Sequence, residues 1–219
     1  MENQLIVKEP HDNITEKYCN IMKSDEIEKE EEQGLTSDVL SLLKCFINFQ
    51  TPKTQLEFYM ENNASKEILR YVSLQGKAFG EKYMEQIAKE YFNLENRISS
   101  THDHTKEGKS LEQKSARYHA NGDDWKFQHI EMSHKWDYLL LCGLDFKEIK
   151  FYIASRKIVE NLIKDGIITG QGKKIDGVAQ PQQAYWFSRS DFNKHKKKFT
   201  DYFTPIKDES SLVKYLQIP

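Results

Sequence analysis

The stretch Trp136-Asp137-Tyr138-Leu139-Leu140-Leu141-Cys142-Gly143-Leu144 limits what this chain can become more than any other. It is far shorter than the roughly twenty apolar residues of a membrane-spanning helix. Successive side chains of a strand point to opposite faces, and here both sets are apolar, so neither face suits water. A strand covered on both sides is expected, and with it an α/β fold: a mixed central β-sheet flanked by helices.

The surrounding segments fit that frame. Leu111–Ser115, Trp125–Ile130 and Phe151–Ala154 read as further strands, and Ile158–Lys164 as a helix. Leu35–Phe49 has helical spacing at Val39, Leu43, Phe46 and Ile47, with Pro52 just past its end, and Ala64–Val72 is a shorter helix. Over Gly76–Leu94, Phe79, Tyr83, Ile87 and Tyr91 recur every four residues, the spacing of one helix face. Glu107-Gly108-Lys109 reads as a hairpin tip and Asn121-Gly122-Asp123 as a turn.

The 219 residues can bury a sizeable core, and an aromatic content of 12% supplies large side chains for it. The formal charge of -2 is unevenly spread: residues 1–33 hold four Lys against ten Asp or Glu, whereas residues 34–219 hold 28 basic and 24 acidic side chains. Two regions are expected, a flexible acidic segment over 1–33 and a single domain over 34–219. The mildly basic body suits a phosphate-bearing partner. Cys19, Cys45 and Cys142 are widely spaced and show no CxxC pairing, and no leader or membrane span is evident, so a reducing cytoplasm is the expected compartment.

Eight residues separate Asp103 from the triplet Glu112-Gln113-Lys114. On a strand, Glu112 and Lys114 share a face while Leu111 and Gln113 point the other way. Two carboxylates can hold a hard divalent cation through oxygen, and an adjacent ammonium can orient or deprotonate water or steady charge on phosphorus oxygens. That set suits metal-assisted phosphodiester hydrolysis. Asp124-Trp125-Lys126 and Glu148-Ile149-Lys150 have the same acid-x-Lys form but read better as solvated strands or turns. A histidine mechanism through His104, Asn121 and His129 resembles HNH nucleases loosely, and zinc binding through His102-Asp103-His104 is a weaker reading still.

Several blocks in order, KSLEQKSARY, DDWKFQHIEMSHKWDYLLLCGLDF, then GQG and AYWFSRSDF, resemble the PD-(D/E)xK restriction endonuclease superfamily over roughly Gly76–Phe192. In that superfamily an E-x-K-S-S-R strand is followed by D-F-x-W-Q-H and W-D-Y-L-L-L segments. Gln113 departs from the pattern, which usually places an apolar residue there, and Thr101-His102 stands where the namesake Pro would be.

The resemblance implies a Mg2+-dependent endonuclease on double-stranded DNA, with Mn2+ able to substitute, and specifically a type II restriction enzyme cutting a short site as a homodimer. A repair or recombination nuclease of the same fold, or a non-catalytic DNA-binding protein on a nuclease frame, are the alternatives. Asp103 and Glu112 would hold the metal and Lys114 would act on water. Relatives lend an acid from the preceding helix and a glutamine beside the metal, roles that fall here to Glu81 and Gln128. The catalytic core is expected over about 76–155 and the DNA-recognition region over about 156–198. Gln171, Lys173, Lys174 and Gln183 are the amides and cations expected on bases and phosphates, together with Arg117, Arg156 and Arg189. Lys194–Lys198 is a further basic cluster that suits phosphate or solvent.

Overall fold

A computed structural model describes residues 53–74, 78–118, 124–172, 174–175, 178–179 and 184–217. The acidic head, the helix expected over 35–49, Cys19, Cys45 and the turn at 121–123 lie outside the described residues. All described residues but Lys53 fall in one compact unit, Thr54–Pro219.

Two helices lead, α1 (Lys53–Glu61) and α2 (Lys66–Val72), followed by a π-helical turn, Ala78–Met84, that runs into α3 (Glu85–Phe92). Strands β1 (Glu95–Asn96), β2 (His104–Lys106), β3 (Lys109–Arg117), β4 (Lys126–Ile130), β5 (Tyr138–Leu144) and β6 (Ile149–Ser155) come next, then α4 (Arg156–Lys164). Four short strands follow: β7 (Thr169–Gly170), β8 (Lys174–Ile175), β9 (Val178–Ala179) and β10 (Tyr185–Ser188). The described chain closes with α5 (Arg189–Lys194), a 3-10 turn at Phe199–Asp201, β11 (Thr204–Ile206) and α6 (Glu209–Leu216).

The main sheet has six strands in the order β1-β2-β3-β5-β6-β11. In this sheet only β3 and β5 run parallel, with Glu112 opposite Leu139 and Lys114 opposite Leu141, so the sheet is mixed as expected from the sequence. The apolar run becomes β5, and six of its seven residues are buried. Where a single sheet is expected from sequence, the described residues hold a second one, β4-β10-β7, and a separate β8-β9 ribbon. The strand read at Trp125–Ile130 belongs to the second sheet: after the antiparallel bridge Tyr118↔Trp125 it leaves β3 and pairs with β10.

Local chemistry explains the main turns. Between β2 and β3 only Glu107 and Gly108 separate the paired Lys106 and Lys109, and both have positive φ, 50° and 71°. Two successive left-handed residues give the tight turn that matches strand twist. Ser65 caps α2 by accepting from Ile68 N, and Asn93 ends α3 in the left-handed conformation.

The helix expected over 76–94 is present but buries a different stripe. Met84, Ala88 and Phe92 are buried, whereas Tyr83 and Tyr91 are 37% and 56% exposed. A π-helical turn holds more residues per turn than an α-helix, so the four-residue spacing read from sequence drifts off the buried face.

The two sheets meet at Trp125, whose indole Nε1 donates to Leu144 O at 3.0 Å. A Cβ at Gly143 would lie 2.7 Å from the Trp125 ring, so only glycine lets the indole lie flat on β5. Phe127, Phe187, Phe192 and Phe203 continue that core beneath the second sheet, all fully buried.

Candidate functional site

Strand β3 carries the site. Glu112 and Lys114 share a face, as period-two alternation requires, and Lys114 Nζ lies 2.6 Å from Glu112 Oε1. Glu112 is only 4% exposed. Burial pushes its carboxyl above the usual carboxylate range, Lys114 opposes the rise, and the charge of Asp103 adds to it. The three groups therefore feel one another electrostatically.

Asp103 sits in the bend just before β2, part-buried, where the hairpin brings it across from β3. Its N–H donates to Leu111 O at 3.0 Å, and its Oδ2 accepts from Gln113 N at 2.7 Å. The acid is thus fixed by the backbone on both sides of Glu112. Asp103, His104 and Lys114 meet Glu85, Gln86 and Lys89 of α3 around an open cleft of about 700 Å³, whose rim continues through Asn96 and Arg97.

Gln113, the departure from the family pattern, has a structural account. It is buried on the opposite face of β3, where its Oε1 pairs with His104 Nε2 at 2.9 Å and its Nε2 donates to Ser115 Oγ at 3.2 Å. Burial lowers the pKa of His104, so the neutral ring donates from Nε2 to the amide oxygen. Two polar side chains on facing strands satisfy each other where an apolar pair would otherwise stand. The clue in the sequence is the presence of both at inward positions of one hairpin.

The other expected site residues are distributed differently. Glu81 lies on the π-helical turn, and its side chain is outside the described residues; Glu85, one turn further on, is the α3 acid that lines the cleft. Gln128 stands on β4 in the second sheet, exposed, with Gln171 Nε2 3.5 Å from its Oε1, and is not among the residues lining the cleft. Gln171 also accepts from His129 N at 3.0 Å. Lys173 and Gln183 lie outside the described residues, and Lys174 is described only as backbone in β8.

The three arginines expected on DNA are engaged inside the fold. Arg117 donates from Nη1 to Val72 O at 2.5 Å and to Leu74 O, with its guanidinium 4.6 Å from the Phe79 ring centre. Arg156 donates to Met132 O and His134 O and stacks 4.9 Å from the Trp136 ring, pinning the loop after β4. Arg189 pairs with the buried Asp124 at 3.3 Å and lies over Trp125. A planar guanidinium satisfies several carbonyls and an aromatic face at once, which suits it to these clamps as well as to phosphate. Asp124 is likewise committed, its Oδ2 accepting from Ser190 N, so Asp124-Trp125-Lys126 is a packing feature. In the basic cluster, Lys194 and Lys197 pair with Asp191 and Asp165.

The histidine alternatives are not assembled. His104 is paired with Gln113, His102 bonds to Ile98 N and Ser99, and His129 stands on the other sheet, while Asn121 is outside the described residues. Among the described residues no group of three or more His, Cys, Asp or Glu is gathered to hold a metal. Mg2+ is commonly bound through one or two carboxylates, with waters and substrate phosphate completing its shell. Asp103 and Glu112 fit that donor set. No described helix is long and apolar enough to cross a membrane. Comparison with protein-family models, curated proteins and solved structures finds no match.

Proposed function

We propose that this chain is a Mg2+-dependent endonuclease that hydrolyses phosphodiester bonds of double-stranded DNA, on a core of the restriction-endonuclease kind. The observation that carries the reading is the paired Glu112 and Lys114 on β3 with Asp103 held beside them by the N–H of Gln113, Asp103 and Lys114 both lining one cleft. Asp103 and Glu112 would hold the cation, with Mn2+ able to replace Mg2+. The cation would supply Lewis-acid polarisation of a phosphoryl oxygen. Lys114 orients the attacking water and stabilises negative charge on the phosphorus oxygens, and its pairing with Glu112 keeps the ammonium aimed at that position. Gln113 holds the Asp103 carboxylate through its N–H.

A type II restriction enzyme is the specific form proposed. Cutting both strands of a palindrome requires two such sites related by a twofold axis, hence a homodimer. Incubation of the purified protein with plasmid DNA and Mg2+, with a chelator control, tests the reading. Discrete ends on sequencing support restriction, and a smear supports a nonspecific or repair nuclease. Intact plasmid in both Mg2+ and Mn2+ removes the catalytic reading in favour of a DNA-binding protein on this frame.

A further inference from the structure

Strand β4 carries a bulge that exposes two successive side chains, one of them a braced amide. Phe127 pairs with Phe187 and Ile130 with Tyr185, so Gln128 and His129 together oppose the single residue Trp186. A regular strand would bury one of two successive side chains; here both are exposed. His129 takes a left-handed φ of 57°, uncommon for a residue other than glycine and maintained only when its surroundings impose it.

Gln171 imposes it. One residue past β7, it reaches across the end of β10, where its Oε1 accepts from His129 N at 3.0 Å and its Nε2 lies 3.5 Å from Gln128 Oε1. The N–H released from the ladder is thereby satisfied, and the Gln128 carboxamide is oriented by a second amide. Gln128 Nε2 donates to no described residue. Bulges of this kind re-aim side chains and recur beside active sites.

The bulge lies toward the catalytic end of β3. From the Tyr118↔Trp125 bridge β4 turns back antiparallel, and the loop that follows it returns to Asp137, whose carboxylate accepts from Ser110, two residues before Glu112. The same loop is held to the turn before β2 by Thr101, which donates to Lys135 O at 3.2 Å.

We infer that Gln128, braced by Gln171, reads an adenine in the major groove of the bound duplex, so that the exposed amide assigned from sequence to catalysis serves specificity. A carboxamide matches adenine bidentately, donating to N7 while accepting from N6. Among the described residues Gln128 has the donor unengaged and a lone pair of Oε1 left for the second bond. The inference rests on the nuclease reading and adds a base preference to it.

The test is digestion of a randomised DNA library in Mg2+ and sequencing of the ends, for wild type, Gln128→Ala, Gln171→Ala and Gln128→Glu. Wild-type ends should share a motif containing an A·T pair. Both alanine variants should lower the preference for that pair by about 5- to 150-fold, the usual range for a bidentate base contact. The melting temperature of Gln128→Ala should stay near wild type because Gln128 is exposed, whereas Gln171→Ala also strands the His129 N–H and should lower it. Gln128→Glu, which can only accept when ionised, should move the preference toward cytosine at the same position. An unchanged motif in all three variants overturns the inference, as does relaxation at a position other than an A·T pair. Wild-type ends without any motif overturn it while leaving the nuclease reading intact; absence of cutting in Mg2+ and Mn2+ removes both.

Discussion

The backbone N–H of Gln113 donates to Asp103 Oδ2 at 2.7 Å, so the residue between Glu112 and Lys114 holds the acid that arrives from the bend before β2. One strand segment thus presents two site groups through its side chains and positions the third through its backbone. Its own side chain points the other way, into the pair with His104. An apolar residue at 113 would keep the backbone bond and lose only the buried polar pair, which is why the departure from the family pattern leaves the site geometry intact.

Asp103→Asn retains an oxygen to accept from Gln113 N, whereas Asp103→Ala does not. Both variants should lose Mg2+-dependent cleavage while still binding DNA. Only the alanine should also lose stability, by about 1–2 kcal/mol for a charge-assisted hydrogen bond at a part-buried site. Urea unfolding beside a plasmid assay separates the two effects, and full activity of Asp103→Asn would take Asp103 out of the site.

Lys114→Ala should slow cleavage by about 100-fold or more, the usual loss when a general acid or base is removed. His104→Ala should leave the chemistry mostly intact, because that ring is neutral, buried and engaged with Gln113. It should instead destabilise the fold by about 1–3 kcal/mol, since it strands a buried amide. If His104→Ala loses more cleavage than Lys114→Ala under folded conditions, the base is the histidine.

Glu112 gives the site a pH signature. Its carboxyl titrates above the ordinary value of 4.5 because of burial, reinforced by Asp103 and opposed by Lys114. Between the ordinary and the raised value the folded protein holds a proton that the unfolded chain has released. Stability contributed by this group is therefore lost as pH rises through that interval. Glu112→Gln lacks the titration, so its stability relative to wild type should climb over the same range in urea melts. If Glu112 holds the cation as proposed, cleavage should need the ionised form, which would place its acid limb above that of an exposed carboxylate. A cation binds only that form, so higher Mg2+ should move the limb to lower pH. A limb indifferent to Mg2+ would assign it to another group.

What could be read from sequence depended on how local the cause was. The β3 strand, the apolar β5 and the Glu107–Gly108 turn follow from alternation, continuous hydrophobicity and turn chemistry over a few residues, and they bring the bend at Asp103 beside β3. Departure of β4 into a second sheet depends on Gly143 admitting the Trp125 ring, a contact between residues far apart in the chain. The buried stripe passes from Phe79 to Met84, Ala88 and Phe92 because a π-helical turn, which leaves no mark in a four-residue spacing, shifts it by one residue. Arginines were the least legible. Arg117, Arg156 and Arg189 look alike as candidates for phosphate, and only the carbonyls and rings around them show that each is a clamp.

That distinction is measurable at Arg117. The side chain is mostly enclosed between the end of α2 and the π-helical turn, where it bonds two carbonyl oxygens of the α2 terminus and covers Phe79. A phosphate contact would have to leave those carbonyls unsatisfied. Arg117→Ala should therefore lower unfolding stability by about 2–4 kcal/mol, combining lost charge-assisted bonds with a cavity beside Phe79. At a temperature where the variant remains folded, its DNA affinity and the slope of log Kd against log salt should match wild type. Loss of one phosphate contact would instead flatten that slope by about one unit on any duplex sequence. A flattened slope with unchanged stability would return Arg117 to the DNA interface.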